Sequence, residues 1–571
     1  MDLEKVLEEI GEFGKYQQIK YFLLCLPVFF GAANSLSYVF TAGHQHYRCL
    51  VPECESTDDA VFNSKWITHA VPGEIQLDGF FKIDHCNRYR YNDNASLLQS
   101  NKYGELCSVQ SFLNETIRCD KFVFDHSGSF TILEQFKMTC EENEWKLAFV
   151  GTAHFLGVIV GSLWMVLGDS IGRKITLIIS TFFMSITGII QALSTSYEMF
   201  VVSAFLNAIG ISGIFPLAFV LGLEMVGKNK RGVAGIVCNY FYAIGVAVLG
   251  VIAWLNDHWV LLQLLISIPP MILFIYIWIV PESVRWLISK NRNSEALHII
   301  RKAAKCNNVE LSDATVKMFI DQDRCQLNSD VNQRKEILEA LIKMITSRTM
   351  LIRIIILLYN FAINALVYFG LSLNSVTLSG NKYFNFILVS IVEIPGYYFG
   401  YMIIEKFGRT AGFTMSMILC GVTCILCGYA DVVWMQIALF LIGKLGITCS
   451  FSIIYVHATE MMPTIIRSSC IGFFATMSRI GALFSPFAIF VEKYYKPLPY
   501  IIFGVLAIFG GIIYVYLPET LNRKLPNIVE ESIALGSKTE DLESEVPLNH
   551  NRMENNSIKQ RINSVNETVI R

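Results

Sequence analysis

Charged side chains are scarce in this chain. Asp, Glu, Lys and Arg account for 16% of its 571 residues, whereas about 25% is usual for a soluble domain. The formal net charge is only -2, and no face rich in Lys and Arg is present, so we expect no nucleic-acid partner. Apolar residues make up 53% of the chain and the mean hydropathy is +0.45. These values indicate a membrane protein.

Catalytic signatures are also missing. The sequence has no H-E-x-x-H motif, so we expect no enzyme and no cofactor. The run 222–229 nearly matches a phosphate-binding loop but lacks the Ser or Thr that would hold Mg²⁺. Cys420, Cys424 and Cys427 have no His or acid near them in the sequence. They are interpreted as packing residues of a helix, and no metal site is predicted.

Long apolar segments dominate the chain instead. Hydropathy predicts twelve membrane-spanning helices, each long enough for the ~20 residues that a bilayer core requires. Their approximate limits are 20–42, 146–167, 175–194, 198–222, 233–254, 259–280, 351–374, 383–404, 411–430, 433–457, 469–491 and 499–517. The predicted fold is therefore an all-α membrane protein.

The basic residues predict the orientation. Arg173, Lys228 and Arg467 fall in short loops on one side, and the positive-inside rule makes that side cytoplasmic. Both termini are then cytoplasmic. The apolar positions of residues 3–13 follow a helical spacing, which predicts a short amphipathic helix lying against the membrane face.

A repeat at an offset of 236 residues divides the chain into two six-helix halves. D-S-I-G-R-K at 169–174 recurs as E-K-F-G-R-T at 405–410, and P-E-S at 281–283 recurs as P-E-T at 518–520. Halves of like topology around a midplane site are typical of transporters. The repeated charges are predicted to form ion pairs that open and close one face, with static bracing as the alternative. They are Asp169, Arg173, Glu224 and Arg231 in the first half and Glu405, Arg409, Glu460 and Arg467 in the second.

The predicted domains follow from this division. A cytoplasmic N-terminal segment (1–19) precedes the first half (20–280). A cytoplasmic loop with short helices (281–350) leads to the second half (351–517). A polar cytoplasmic tail (518–571) is predicted to be disordered.

The long loop 43–145 lies outside the cell in this topology. It contains the glycosylation acceptors Asn94 and Asn114. An even number of cysteines in an oxidising compartment predicts disulfides, and six cysteines allow fifteen pairings, which stay open. The predicted disulfide cysteines are Cys49, Cys54, Cys86, Cys107, Cys119 and Cys140. A disulfide-bonded cap without a catalytic part is the preferred interpretation.

Three charged residues lie deep inside predicted spans, where each costs ~2.5–3.5 kcal/mol on insertion scales. Glu393, Lys444 and Arg479 lie on the eighth, tenth and eleventh helices. They either form a structural ion pair or leave a charge for a ligand. Phe215, Tyr242 and Tyr368 fall near the midplane in helices that contain Gly or Pro. Packing is the simpler role for them, although such rings also attract a weakly hydrated cation.

The sequence resembles the organic cation/anion/zwitterion transporters of the major facilitator superfamily over essentially its whole length. The matching stretches are G-x-F-G-x-Y-Q (11–17), P-E-S-x-R-W-L (281–287), V-E-I-P (392–395), G-K-L-G-I-T (443–448), A-T-E-M-M-P-T-I-I-R (458–467) and L-P-E-T (517–520). The resemblance is closest to the organic cation/carnitine branch. It implies that Phe215, Tyr242 and Tyr368 line the central cavity. It also implies that Glu393 and Arg479 hold a molecule bearing both charges, or a carboxylate.

We therefore predict a plasma-membrane carrier that moves organic cations or carnitine-like zwitterions by alternating access. Lys444 is predicted as a second anion contact or as the resting partner of Glu393. A coupling ion, sodium or a proton, is left open. The alternatives are an organic anion carrier of the same fold and a transport-inactive glycoprotein acting as receptor or scaffold.

Overall fold

The computed structural model describes most of the helical part of the chain and several segments of the long loops. The described residues are 3–43, 45–56, 60–64, 66–75, 81–92, 107, 109–125, 129–312, 316, 319, 339–464, 466–488, 491–492, 495–523, 525–526 and 528–535.

Eleven helices in these residues are long and apolar enough to cross a membrane, and one shorter apolar helix follows them. Spans 1 to 12 are Lys15–Thr41, Trp145–Ile171, Arg173–Ala192, Tyr197–Glu224, Lys228–Leu255, Trp259–Ile279, Arg348–Asn374, Lys382–Phe407, Arg409–Gly428, Val433–Met461, Arg467–Phe487 and Leu498–Tyr514. Every predicted span has its counterpart, so the all-α fold with twelve helices is confirmed. We call the end that is predicted to face the cytoplasm the inner end, and the opposite end the outer end.

Each half packs around its own apolar core. In the first half, Leu24, Ile214 and Leu221 are buried together. In the second half, Phe413, Phe440 and other side chains form a larger cluster. The repeat of 236 residues thus corresponds to two separately packed helix bundles.

The halves meet through aromatic side chains at the outer end. The ring of Phe40 lies 5.7 Å from Tyr383 and 4.8 Å from Phe386, both at the start of span 8. The rings of Phe155 and Phe369 are 5.0 Å apart. Spans 1 and 2 of the first half therefore contact spans 7 and 8 of the second half at this end.

The described part of the outer loop contains six short strands, which the sequence analysis did not predict. They form three antiparallel pairs, β1 with β6, β2 with β3, and β4 with β5. The strands are β1 (Tyr47–Cys49), β2 (Gly73–Ile75), β3 (Phe81–Ile83), β4 (Asn87–Tyr91), β5 (Phe112–Arg118) and β6 (Phe122–Phe124). Short helices cover Ile67–Ala70 and Ile132–Gln135.

Three disulfides connect these elements. Of the fifteen pairings that the sequence left open, the structure has Cys49–Cys119, Cys54–Cys107 and Cys86–Cys140. The pairing follows the strands, because Cys49 ends β1 and Cys119 precedes β6, its partner strand. All six predicted cysteines are used.

The N-terminal helix, Leu3–Glu9, packs on protein rather than on the membrane face, which corrects the sequence prediction. Val6 and Leu7 lie in one buried cluster with Leu297 and Ile300 of the connecting-loop helix Asn293–Cys306. The apolar stripe is therefore covered by another amphipathic helix. A further short helix, Val284–Ser289, contributes to the same cluster.

The tail is folded at its start, so the predicted disordered segment begins too early at residue 518. A helix covers Val529–Ala534. Arg353 of span 7 donates hydrogen bonds of 2.5 and 2.7 Å to the carbonyl oxygens of Ser532 and Leu535. These bonds attach the tail to span 7. The rest of the predicted tail, from 536 onwards, lies outside the described residues.

Candidate functional site

Glu393 lies at a break in span 8. One helical segment ends at Ile391 and the next begins at Glu393. Pro395 explains the break, because its ring would clash with the carbonyl group of Ile391 four residues earlier. The carboxylate therefore sits in the first turn of a helix, where the helix dipole favours a negative charge.

Glu393 is paired with Lys444 of span 10 in the interior of the second half. Nζ of Lys444 is 2.8 Å from Oε1 of Glu393, and the two side chains are 0% and 3% exposed. Lys444 also donates a 2.7 Å hydrogen bond to the hydroxyl group of Ser372. Lys444 thus forms the ion pair that its predicted role as the resting partner of Glu393 requires.

The ion pair uses only one of the two carboxylate oxygens of Glu393. Oε2 of Glu393 is buried and has no close hydrogen-bond partner among the described residues, although the phenol group of Tyr368 interacts with this carboxylate. A buried carboxylate oxygen without a partner is energetically unfavourable. The site can therefore accept one further donor or a positively charged group.

Two of the three predicted aromatic residues lie near this carboxylate, one from each half, and the third packs against one of them. Tyr242 of the first half and Tyr368 of the second are both within electrostatic range of Glu393. The ring of Phe215 lies 6.0 Å from that of Tyr242 in an edge-on arrangement. Nζ of Lys444 lies 3.5 Å from the ring centre of Tyr368, which is a cation–π contact. The arrangement is a cationic group held between an acid and aromatic faces.

Arg479 is placed apart from this pair. It lies in the last turn of the helix Arg467–Ala482 and is half-buried. Its neighbour is the phenol group of Tyr455, and none of the described carboxylates lies within ion-pair distance of it. The structure therefore connects five of the six predicted binding residues through contacts and leaves Arg479 apart from them.

The predicted gating charges of the first half meet at its inner end. Arg173 of span 3 forms ion pairs with Glu224 of span 4 and, at 3.4 Å, with Asp169. The hydroxyl group of Ser283 donates a 2.5 Å hydrogen bond to Glu224. Glu282 accepts hydrogen bonds from the backbone N–H groups of Arg173 and Lys174.

The second half repeats this arrangement. Arg409 forms a bidentate ion pair with Glu460, both distances being 2.9 Å. Thr520 donates a 2.6 Å hydrogen bond to Glu460. Glu519 accepts hydrogen bonds from four backbone N–H groups. Burial raises the pKa of Glu519, but these four bonds outweigh it, so the pKa lies below its ordinary value.

A glycine at the same position of each motif makes room for the acid. Gly172 has φ +123° and Gly408 has φ +87°, a region that L side chains rarely adopt. A Cβ atom would lie 2.6 Å from Glu282 at Gly172 and 2.5 Å from Glu519 at Gly408. The repeated glycine, arginine and glutamate thus form one structural unit in each half.

Both ion pairs stay within one half. The Arg173–Glu224 pair joins spans 3 and 4, and the Arg409–Glu460 pair joins spans 9 and 10. Adjacent helices of one bundle bring these charges together, so the pairs do not themselves bridge the halves. Their gating role stays a prediction.

The remaining gating candidates have different partners. Arg231 pairs at 2.7 Å with Glu4 of the N-terminal helix, which the sequence analysis did not connect with it. Arg467 instead donates to the backbone carbonyls of Met462 and Pro526. Glu405 is exposed, and no ion pair to it is present among the described residues.

Sequence reasoning missed several residues of the site. Ser372, which accepts a hydrogen bond from Lys444, and Phe451, whose ring lies 5.1 Å from that of Tyr368, are ordinary in type and position, so no sequence signal marks them. Glu282 and Glu519 did carry a signal, since the P-E-S and P-E-T motifs recur one residue out of step with the other repeats. Their role as acceptors for backbone N–H groups became clear only from the fold.

The fold and the repeated inner-end motifs define a membrane transporter of the major facilitator type. Among solved structures, the chain is similar to the xylose transporter XylE of E. coli in its inward-open conformation, with a TM-score of 0.53. The sequence identity is 15%, over 69% of this chain and 92% of XylE, so this likeness concerns the fold alone.

Sequence comparisons give the family. Residues 109–531 match the family described as "Sugar (and other) transporter". The chain is 30% identical to the "Organic cation transporter protein" of Drosophila melanogaster, over 94% of this chain and 96% of that one. It is 31% identical to the "Organic cation/carnitine transporter 2" of Mus musculus, over 93% and 94%. The chain belongs to the organic cation/carnitine transporter family of the major facilitator superfamily, as the sequence motifs predicted, and is a multi-pass membrane transporter.

Proposed function

We propose that this protein is a solute carrier of the plasma membrane that moves organic cations, and zwitterions such as carnitine, by alternating access. The observation that carries the proposal is the free Oε2 of buried Glu393 among aromatic rings. The names of the relatives support the same cargo class. An acid in an aromatic site suits a cation better than an anion, so the organic anion alternative is not favoured.

Lys444 marks the position that the cargo would occupy. Its ammonium group lies between Glu393 and the ring of Tyr368. A quaternary ammonium group prefers the same surroundings, because aromatic faces attract weakly hydrated cations. The cargo would then compete with Lys444 for the carboxylate, with Phe215 and Tyr242 completing the aromatic wall.

The test is uptake of radiolabelled tetraethylammonium at matched surface expression. We expect Glu393→Gln to raise the apparent KM roughly tenfold to a hundredfold, since it removes the attraction between the buried carboxylate and the tetraethylammonium charge, and a loss of about 1.4–3 kcal/mol corresponds to that factor. Glu393→Asp keeps the charge and should keep most of the uptake. Glu198→Gln, at an exposed glutamate of span 4, is the control and should transport normally. Normal uptake by Glu393→Gln would exclude this cation site.

Arg479 is the proposed anchor for a carboxylate, which it can bind in a bidentate manner. Arg479→Ala should therefore impair carnitine uptake more than tetraethylammonium uptake. Arg479→Asp should favour tetraethylammonium, because an attractive charge replaces a repulsive one. Equal loss of both cargoes would mean that Arg479 only supports the helix bundle.

The proposal places both termini in the cytoplasm, as the basic loops predict. It leaves the coupling ion, sodium or a proton, to uptake measurements with and without sodium. The scaffold alternative gives no reason for a buried acid with a free oxygen, and the relatives named above are transporters.

A further inference from the structure

His457 lies near the inner end of span 10 and belongs to neither the cation site nor the repeated charges. It precedes Glu460 by one helical turn and is completely buried. Both of its ring nitrogen atoms have a partner. Nδ1 lies 2.8 Å from the hydroxyl group of Tyr514, and Nε2 lies 2.9 Å from the carbonyl oxygen of Pro518. Since Tyr514 ends span 12 and Pro518 begins the P-E-T motif, one side chain of span 10 holds both.

These contacts determine which nitrogen atom carries the proton. A carbonyl oxygen can only accept a hydrogen bond, so Nε2 of His457 is protonated and donates to Pro518. In the neutral ring, Nδ1 has no proton and accepts the hydrogen bond that the Tyr514 hydroxyl group donates. The ring of Tyr514 is itself stacked on Phe413 of span 9, with the ring centres 3.8 Å apart. The orientation of the imidazole is therefore fixed by spans 9 and 12 as well as by its own helix.

The motif that His457 holds also carries the inner-end contacts of the second half. In the P-E-T motif, Glu519 accepts hydrogen bonds from four backbone N–H groups, and the hydroxyl group of Thr520 donates to Glu460. Glu460 in turn forms the bidentate ion pair with Arg409 of span 9. His457 and Glu460 are one turn apart on one helix and share a face. That face of span 10 therefore binds the P-E-T motif twice.

The first half lacks the connection through a histidine. At the repeat offset of 236 residues, His457 corresponds to Leu221, which is buried and apolar. The P-E-T motif lies one residue out of step, and in that register Tyr514 corresponds to Ile277. Neither of these apolar side chains can form a hydrogen bond, whereas both halves have the ion pair and the acid that accepts backbone N–H groups. The histidine–tyrosine pair thus distinguishes the second half.

We propose that His457 is a positioning residue of the transport cycle, which holds the P-E-T motif against span 10 and thereby keeps Glu460 aligned with Arg409. The inner ends of spans 9, 10 and 12 then move as one unit when the halves move. Loss of this connection should slow the change of conformation and leave the cargo site unaltered. The inference rests on the alternating access of the proposed function but not on its cargo site.

The first test measures initial rates of tetraethylammonium uptake over a concentration series at matched surface expression. His457→Leu introduces the residue of the first half. It should lower the maximal rate about threefold to tenfold and keep the apparent KM within about twofold, as the loss of one hydrogen bond outside the cargo site would do. His457→Gln should retain most of the maximal rate, because its amide N–H group can still donate to Pro518. His457→Asn is too short to reach Pro518 and should behave like His457→Leu, which gives a second variant where leucine disrupts the fold.

A second test separates positioning from stability. His457→Leu leaves the Tyr514 hydroxyl group buried without an acceptor, so adding Tyr514→Phe should recover part of the lost melting temperature of the purified protein. The maximal rate of uptake should stay low in this double variant, because the connection to Pro518 is still missing. A maximal rate that recovers together with the melting temperature would overturn the inference.

A third test, hydrogen exchange of the purified protein, does not depend on any cargo. It follows the backbone N–H groups that bind Glu519, which belong to Arg409, Thr410, Thr520 and Leu521. Their exchange should be several-fold faster in His457→Leu and unchanged in His457→Gln, because only leucine releases the P-E-T motif.

Two matched variants serve as controls in all three tests. His298→Leu changes an exposed histidine of the connecting loop, and Tyr516→Phe changes an exposed tyrosine close to Tyr514. Unchanged exchange or an unchanged maximal rate in His457→Leu, or equal effects of leucine and glutamine, would overturn the inference. Absence of tetraethylammonium uptake in the wild type would contradict the proposed cargo instead, and the exchange rates would then decide the role of His457.

Discussion

At the scale of single residues, the Glu393–Lys444 pair stabilises the fold and also belongs to the candidate binding site. Both side chains are almost completely buried, and removing one partner of a buried ion pair typically costs about 3–5 kcal/mol. The same burial makes the carboxylate sensitive to an added cation. The pair therefore holds spans 8 and 10 together, and in the proposed function a cargo would replace the lysine.

This predicts an asymmetric response to mutation. Lys444→Met should lower the apparent melting temperature of the purified protein, because it leaves the Glu393 charge buried without a partner. The double variant Glu393→Gln with Lys444→Met should recover most of that loss, since an apolar replacement of both charges is often neutral. Thermal unfolding in detergent measures the melting temperatures of the single and the double variant. If the double variant were no more stable than Lys444→Met, the unpaired Glu393 charge would not be the cause of the lower melting temperature.

At the scale of elements, the inner ends of the two halves contain the same glycine, arginine and acid. Each arginine joins adjacent helices of its own half. The first half adds the N-terminal helix, whose Glu4 contacts both Arg231 and Arg285. Burial raises the pKa of Glu4, but the two guanidinium groups outweigh it and the pKa lies below its ordinary value.

These inner-end contacts lead to a prediction for the maximal rate of uptake. Arg231 and Arg467 contact segments outside the membrane part, so their loss should shift the balance of conformations rather than the binding site. We expect Arg231→Ala and Arg467→Ala to lower maximal uptake more than apparent affinity. Arg301→Ala, at an exposed position of the connecting loop, serves as the control. A change of cargo choice alone in either variant would contradict the gating role.

A second prediction at this scale concerns the outer loop. Asn114 is exposed on β5, whereas Asn94 lies outside the described residues. If the loop faces the cell exterior, a glycosidase should reduce the apparent mass of the protein. Asn94→Gln together with Asn114→Gln should remove that difference. Persistence of the difference in the double variant would refute this assignment of the acceptors.

At the scale of the whole molecule, the rings of Phe40 and Phe386 close the outer end between the halves. Alternating access requires this contact to open. Because the two rings belong to different halves, the distance between them must increase when the outer end opens.

A crosslink across this contact should therefore stop transport. Phe40→Cys with Phe386→Cys should lose most uptake after oxidation and regain it after reduction. The single variants and the pair Phe40→Cys with Phe407→Cys, which puts the second cysteine at the inner end of span 8, should be unaffected. Uptake that survives complete crosslinking of the first pair would contradict this mechanism.

The sequence determined the number of spans, the two halves and the inner-end motifs, because hydropathy and a fixed repeat are local properties of the chain. It also marked Glu393 and Lys444, since charge inside an apolar span is conspicuous. It identified the six cysteines but not their partners, because pairing depends on which strands lie side by side.

Only the tertiary structure decided which residues contact each other. It paired Glu393 with Lys444, one of the two roles that the sequence analysis left open for the lysine, and it placed Arg479 apart from both. It covered the N-terminal helix with Asn293–Cys306, since an amphipathic stripe packs equally well on a membrane or on a second helix. These contacts join residues far apart in the chain, and their geometry follows from helix packing rather than from any local pattern.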